Sequence, residues 1–246
     1  MGDLGTTVVV GASRGLGRGI ARAFADAGGP VVAVARSGSP LAELAASCAN
    51  IQIEVADAAA ATAAGFLLDR YEPQTLIVVA GASPLPRPLQ QHTWETFSVN
   101  WHSDVRIAFH WLREALLKPL QPGSRVVVIS SGAALAGSPL SGGYAGAKAT
   151  QRFITAYAQD EAKRAGLGIT FTAVLPRITP LTELGAPAVR AYAARSGQSQ
   201  EEYLGQFGEP LSPEVAGAAV VQLVRADAAT ASPGYLLSGD GLHELP

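Results

Sequence analysis

The chain has one cysteine in 246 residues, Cys48, so it can form neither an internal disulfide nor a cysteine-ligated zinc or iron–sulfur site. A small apolar filler is the reading that follows for it. Charge is scarce as well. Asp, Glu, Lys and Arg make up 15% of the chain and nearly cancel, leaving a net charge of −2 and no field to draw a nucleic acid or an anionic membrane. The four histidines, His92, His102, His110 and His243, have no HExxH-like spacing, so no metal site is expected. No apolar run approaches the roughly 20 residues of a membrane span, because Gly, Pro, Arg or Asp interrupts each one early. Between Met1 and Thr7 no basic segment introduces an apolar one, and Val8 to Val10 is too short for the core of a leader. A soluble, cytoplasmic protein without nucleic-acid or membrane partners is the expectation.

The residues present suit a single α/β domain over 1–246, since 48% apolar residues supply a sizeable core and no composition shift divides the chain. Short apolar runs recur at Thr7 to Val10, Val31 to Ala35, Ile51 to Val55, Leu76 to Ala80, Val126 to Ile129, Ile169 to Val174 and Tyr235 to Leu237. They read as about seven strands buried on both faces, as in a parallel sheet covered by helices. Helical stretches lie between them: Gly15 to Ala27, Pro40 to Ala49, Ala58 to Arg70, Thr93 to Leu117, Gly143 to Ala165 and Pro213 to Arg225. The alternation predicts a Rossmann-type, doubly wound sheet. Residues 176–213, with helices near Ala186 to Arg195 and Gln200 to Phe207, read as an insertion after a strand's carboxyl end, where open sheets place ligand-specific elements.

Two local patterns carry chemistry. Gly11, Ala12, Ser13, Arg14, Gly15, Leu16 and Gly17 follow an apolar strand and open a helix, the context a dinucleotide-binding turn requires. Glycines let a pyrophosphate approach the backbone, and the helix N-terminus attracts it. The second strand ends in Ala35, Arg36 and Ser37, with no carboxylate for a ribose 2′-hydroxyl and an arginine suited to a 2′-phosphate, which favours NADP(H) over NAD. The second pattern is Tyr144 and Lys148, four residues apart and hence on one helix face. With six tyrosines and three lysines in the chain, such a pair arises by chance about 0.07 times. A phenol is a poor base near neutral pH unless a cation stabilises its phenolate, and Lys148 supplies one.

The spacing Gly-x-x-x-Gly-x-Gly, together with Tyr144-x-x-x-Lys148, resembles the short-chain dehydrogenase/reductase family. The resemblance covers nearly the whole chain, because Ala80-Gly81 after the fourth strand and Asp240-Gly241 near the C-terminus also fall where that family has matching segments. It implies an Asn100, Ser131, Tyr144, Lys148 tetrad, with Ser131 chosen over Ser130 by its offset of thirteen residues from the Tyr. It further implies cofactor contacts from Arg14, from Asp57 to the adenine, and from Pro176 with either Thr179 or Thr182; by its position Asp57 also reads as an N-cap for a helix from Ala58. The implied reaction is reduction of a ketone or aldehyde, or the reverse, by hydride transfer in a homodimer or homotetramer. The alternative on the same fold is a non-catalytic NADP(H)-binding sensor or scaffold. Five positions depart from the family's pattern: Val10 replaces a Thr, Val78 and Val79 replace two asparagines, Arg177 replaces a Gly, and Leu181 stands where a Thr is usual. Trp94, Phe97 and Tyr192 are candidates for lining the substrate cleft or for the core.

Overall fold

The computed structural model describes residues 4–245; Met1 to Asp3, the start of the segment read for a leader, lie outside the described residues. The strands are β1 (Thr7–Val10), β2 (Val31–Ala35), β3 (Ile51–Val55), β4 (Thr75–Val78), β5 (Arg125–Ile129), β6 (Thr170–Pro176), β7 (Gly234–Ser238) and β8 (Gly241–Glu244). They form one sheet in the order β3-β2-β1-β4-β5-β6-β7-β8. Seven strands run parallel, as the sequence predicts. The eighth is an addition: Ser238 pairs with Gly241, and β8 returns antiparallel along β7.

Along β1, Val9 joins the core beneath α1 (Gly15–Asp26) and α10 (Pro213–Arg225), with Ile20, Phe24 and Val220. Val8 and Val10 face the other way, toward α3 (Ala61–Tyr71), α5 (Arg106–Leu117) and α7 (Tyr144–Arg164), where Leu67, Trp111 and Ala158 lie. With a core on each face, every side chain of such a strand is buried, which is why the runs show no polar alternation. β3 corrects the expectation that all the strands are of this kind. It is an edge strand paired only with β2, and Gln52 and Val55 are exposed. The alternation of Gln52 and Glu54 with Ile51 and Ile53 is the sequence signature of that half-exposed position. Cys48 packs, partly buried, against the α1 side.

The remaining helices are α2 (Gly38–Ser47), α4 (Trp94–Asn100), α6 (Ala133–Ala136), α8 (Gly185–Ser196) and α9 (Gln200–Gly205). The long helix expected over Thr93 to Leu117 is divided: a π turn at Trp101–Val105 separates α4 from α5. α3 begins at Ala61 rather than Ala58, and β4 ends at Val78 rather than Ala80. In that bend the N–H groups of Val79 and Ala80 both donate to the carbonyl of Val10.

In register, Val10 lies beside both Val34 and Val78, and Val78 beside Val128. The carboxyl ends of these strands are therefore level. Strand order reverses between β1 and β4, and the loops leaving those ends open a crevice where doubly wound sheets bind ligands.

Candidate active site

A cleft of about 1280 Å³ lies along this edge, lined by the turn Gly11–Gly17, the tips of β2 and β4, the segment after β5, the start of α7 and the segment after β6. Two glycines are fixed by contact. A Cβ on Gly11, whose φ is +99°, would lie 2.6 Å from the Ala80 nitrogen, and one on Gly17 would lie 2.1 Å from the Gly11 carbonyl oxygen. The turn is braced without the family's Thr, because the N–H groups of Gly11 and Ala12 both donate to the carbonyl of Val34. α1 has no side-chain cap and no acidic residue in its first turn, so its N-terminal donors face the cleft without a competing carboxylate.

The two arginines expected to share a phosphate are differently engaged. Arg36 is exposed at the tip of β2 beside Ser37, whereas Arg14 reaches across the cleft mouth to Glu183, 2.6 Å away on the segment after β6. Asp57 is exposed and lines the cleft, but it lies four residues before α3 begins and its carboxylate accepts from the Ala59 N–H at 3.0 Å. The expected helix cap is thus a local turn; the cap position of α3 belongs to Ala60.

Ser131, Tyr144 and Lys148 all line the cleft. The hydroxyl of Tyr144 makes no hydrogen bond to another described residue, and its ring centre lies 5.6 Å from Lys148 Nζ. Ser131 Oγ accepts from the Ala133 N–H at 3.2 Å and keeps its own proton to donate. Ser130 has a different task. It is buried, and its hydroxyl donates to the carbonyl of Lys148 at 2.7 Å, tying β5 to α7. Asn100 does not line the cleft; it is fully buried behind it, donating to the Ala82 carbonyl at 2.7 Å and to Asp104 Oδ1 at 3.3 Å.

Asp104 and Gln151 are what the sequence reading missed. Lys148 Nζ lies 3.1 Å from Asp104 Oδ2, with both side chains almost wholly buried, and donates a directed hydrogen bond to Gln151 Oε1 at 2.9 Å. Burial opposes the charged form of Lys148. The attraction of Asp104 and that of Tyr144 outweigh it, so the ammonium pKa rises above its usual value. The signal was spacing: Asp104 follows Asn100 by four residues and Gln151 follows Lys148 by three, each pair on one helix face.

The far wall belongs to residues 176–207. The carbonyl of Pro176 accepts from the Gly132 N–H at 2.8 Å, and exposed Arg177 lines the cleft. Of the two threonines, Thr179 is buried and donates its hydroxyl to the Leu211 carbonyl at 2.6 Å, while Thr182 Oγ1 accepts from the Gly185 N–H. Tyr192 lies in the cleft wall with its hydroxyl bonded to Ser138 Oγ at 2.5 Å, and its ring stacks on Tyr203. Trp94 and Phe97 stack on each other away from this cleft, so of the three aromatic candidates only Tyr192 lines it. Among the described residues, no helix is long and apolar enough to cross a membrane, and no three His, Cys, Asp or Glu side chains group to hold a metal.

The family model for short chain dehydrogenases matches residues 5–193. No curated protein sequence matches the chain. Among solved structures, a variant of the actinorhodin polyketide ketoreductase with NADPH superposes with a TM-score of 0.80, at 21% identity over 95% of both chains. A short chain dehydrogenase from Mycobacterium avium gives 0.77 at 21% identity, over 99% of this chain and 85% of that one. The closed form of serine dehydrogenase with NADP+ gives 0.75 at 20% identity, over 94% and 93%. At such identities the likeness shows the shared fold.

Proposed function

The chain belongs to the short-chain dehydrogenase family, and from that membership we propose that it is an NADP(H)-dependent oxidoreductase interconverting a ketone or aldehyde and its alcohol, in the direction of reduction. The observation that carries the reading is the meeting of Ser131, Tyr144 and Lys148 on the same cleft as the glycine turn. A dinucleotide suits that cleft. Gly11 and Gly17 allow a turn packed too tightly for any side chain, the uncapped start of α1 offers N–H donors to a pyrophosphate, and Arg36 at the β2 tip offers a guanidinium to a 2′-phosphate. Ser13, Arg14, Gly15, Leu16, Ser37, Asp57, Ala80, Gly81, Pro176 and Thr179 complete the proposed cofactor wall, of which all but Ser37 line the cleft. Two structures sharing the fold carry NADPH or NADP+ in their own sites, which supports the choice.

The chemistry supplied by NADP(H) is the hydride given to the carbonyl carbon. Tyr144 delivers the phenolic proton to the carbonyl oxygen, and its free hydroxyl suits that task. Lys148 stabilises the phenolate left behind. Ser131 donates to the same oxygen as negative charge develops on it. Asn100 holds the Ala82 backbone and supports the arrangement from behind. In this reading residues 1–246 act as one domain whose 176–213 segment, with Tyr192 and Arg177, shapes the substrate end.

Following loss of nicotinamide absorbance over ketones, aldehydes, β-ketoacyl thioesters and imines tests the proposal. Turnover of a carbonyl compound with NADPH supports it; NADPH binding with silence across the panel is the result expected of a sensor. Arg14 gives a second test. Because Glu183 competes for it, Glu183→Gln is expected to lower KM for NADPH by up to about five-fold, the limit for an exposed ion pair. Assembly has its own. Phe109 on α5 and Phe153 and Tyr157 on α7 are exposed, with the last two rings in contact, and a homodimer or homotetramer would cover them. Phe153→Glu is expected to shift the mass measured by light scattering toward the monomer.

A further inference from the structure

Asp104 is a buried carboxylate in the π turn between α4 and α5, and it sits at the crossing of three parts of the cleft. Its Oδ1 accepts from the Ala82 N–H at 2.8 Å and from Asn100 Nδ2 at 3.3 Å. Its Oδ2 lies 3.1 Å from Lys148 Nζ. Its backbone carbonyl accepts from Gln151 Nε2 at 2.8 Å, and Gln151 Oε1 accepts from Lys148 Nζ, so Asp104, Lys148 and Gln151 close a ring. The carboxylate also presses on the loop after β4. A Cβ on Gly81 would come within 2.6 Å of Oδ2, so only glycine fits between the carboxylate and the cleft.

Val78 ends β4 and Val79 follows it, and neither brings a polar side chain to this loop. Its polar anchors come from the helix side instead, through Asn100 to the Ala82 carbonyl and Asp104 to the Ala82 N–H. The same carboxylate gives Lys148 its counter-charge. An ammonium so deeply buried would otherwise tend to lose its proton.

We propose that Asp104 is a positioning residue for the reaction: clamped by Asn100 and Gln151, it holds the Lys148 ammonium beneath Tyr144 and couples it to the Ala80–Ala82 loop. The proposal rests on the reading of Tyr144 and Lys148 as the proton-handling pair. The titratable groups acting on Lys148 are Asp104 from the π turn and Tyr144 from its own helix. Its other close polar neighbours, Gln151 and Ser130, carry no charge.

Asp104→Asn keeps the shape and an acceptor for the Ala82 N–H while removing the counter-charge. The alkaline limb of kcat/KM is expected to move down by at least about one pH unit. The double variant Asp104→Asn, Gln151→Glu, which returns a carboxylate to the other side of Nζ, is expected to move it back. A lowered melting temperature with an unmoved pH profile would overturn the proposal. A readout independent of turnover comes from the chain's three lysines, since Lys118 and Lys163 are exposed and a 13Cε-lysine NMR titration can separate Lys148 from them. In the wild-type protein Lys148 should still be an ammonium at the pH where a free lysine side chain is half titrated, and in Asp104→Asn it should have lost its proton there. Wild-type Lys148 titrating below a free lysine side chain overturns the proposal even if the variant fails to fold. If no carbonyl compound is turned over, the NMR arm still decides the Asp104 contact while the panel alone counts against the proposed function.

Discussion

Tyr144→Phe is expected to lower kcat by about 10²- to 10⁴-fold, the range over which one positioned acid contributes, while leaving the fold and NADPH binding in place. The hydroxyl of Tyr144 bonds to no other described residue, so its removal orphans no partner, and the phenyl ring can keep the packing of the phenol beside Lys148. A melting temperature close to wild type and an NADPH Kd within a few-fold of it are the controls. With those satisfied, the loss isolates proton delivery. Residual turnover above a few per cent would sink the assignment, because neither Ser131, whose hydroxyl is a far weaker acid, nor buried Lys148, whose pKa is raised, replaces a phenol readily. Ser131→Ala should fall less far, since a donor to the developing charge would be lost but no proton source.

Much of this architecture was legible in the chain, and most of the misses share a cause. Continuous apolar runs marked strands with a core on each face, and Val8 to Val10 on β1 divide between the two cores accordingly. Chemistry that is local in sequence was legible too: the glycine turn, and Tyr144 with Lys148 one helical turn apart. Features that depend on two remote segments meeting were not. Arg14 and Arg36 look alike in sequence, but only Arg14 meets Glu183, 169 residues away. Asp104 reads as an ordinary polar residue in a helix until α7 packs beside it and supplies Lys148 and Gln151. The π turn that carries Asp104 is invisible to helical periodicity, because five residues of a different pitch hardly disturb a pattern of some twenty-five. β8 escaped notice for another reason: Gly-Leu-His-Glu is too short and too polar to read as a strand, and β7 is what makes it one.

Arg36→Asp is expected to raise KM for NADPH by about 10²-fold, corresponding to loss of hydrogen bonds from a charged donor together with repulsion from the new carboxylate. Arg36 is exposed and forms no hydrogen bond or ion pair with a described residue, so its replacement leaves the fold untouched and the change can be read as binding. The same substitution installs at the tip of β2 an acceptor for a ribose 2′-hydroxyl, so KM for NADH should fall and the NADPH preference should drop by more than either constant alone. Arg14→Ala should have the smaller effect, because Arg14 already spends its charge on Glu183 and must leave that pair to reach a phosphate. In the wild-type protein, added salt should weaken NADPH binding more than NADH binding, since only the former presents a phosphate to an exposed guanidinium. An unchanged KM for NADPH in Arg36→Asp would remove the basis for choosing NADP(H), yet it would leave Tyr144 and Lys148 their roles, because the proton chemistry at the start of α7 does not depend on which dinucleotide lies along β2.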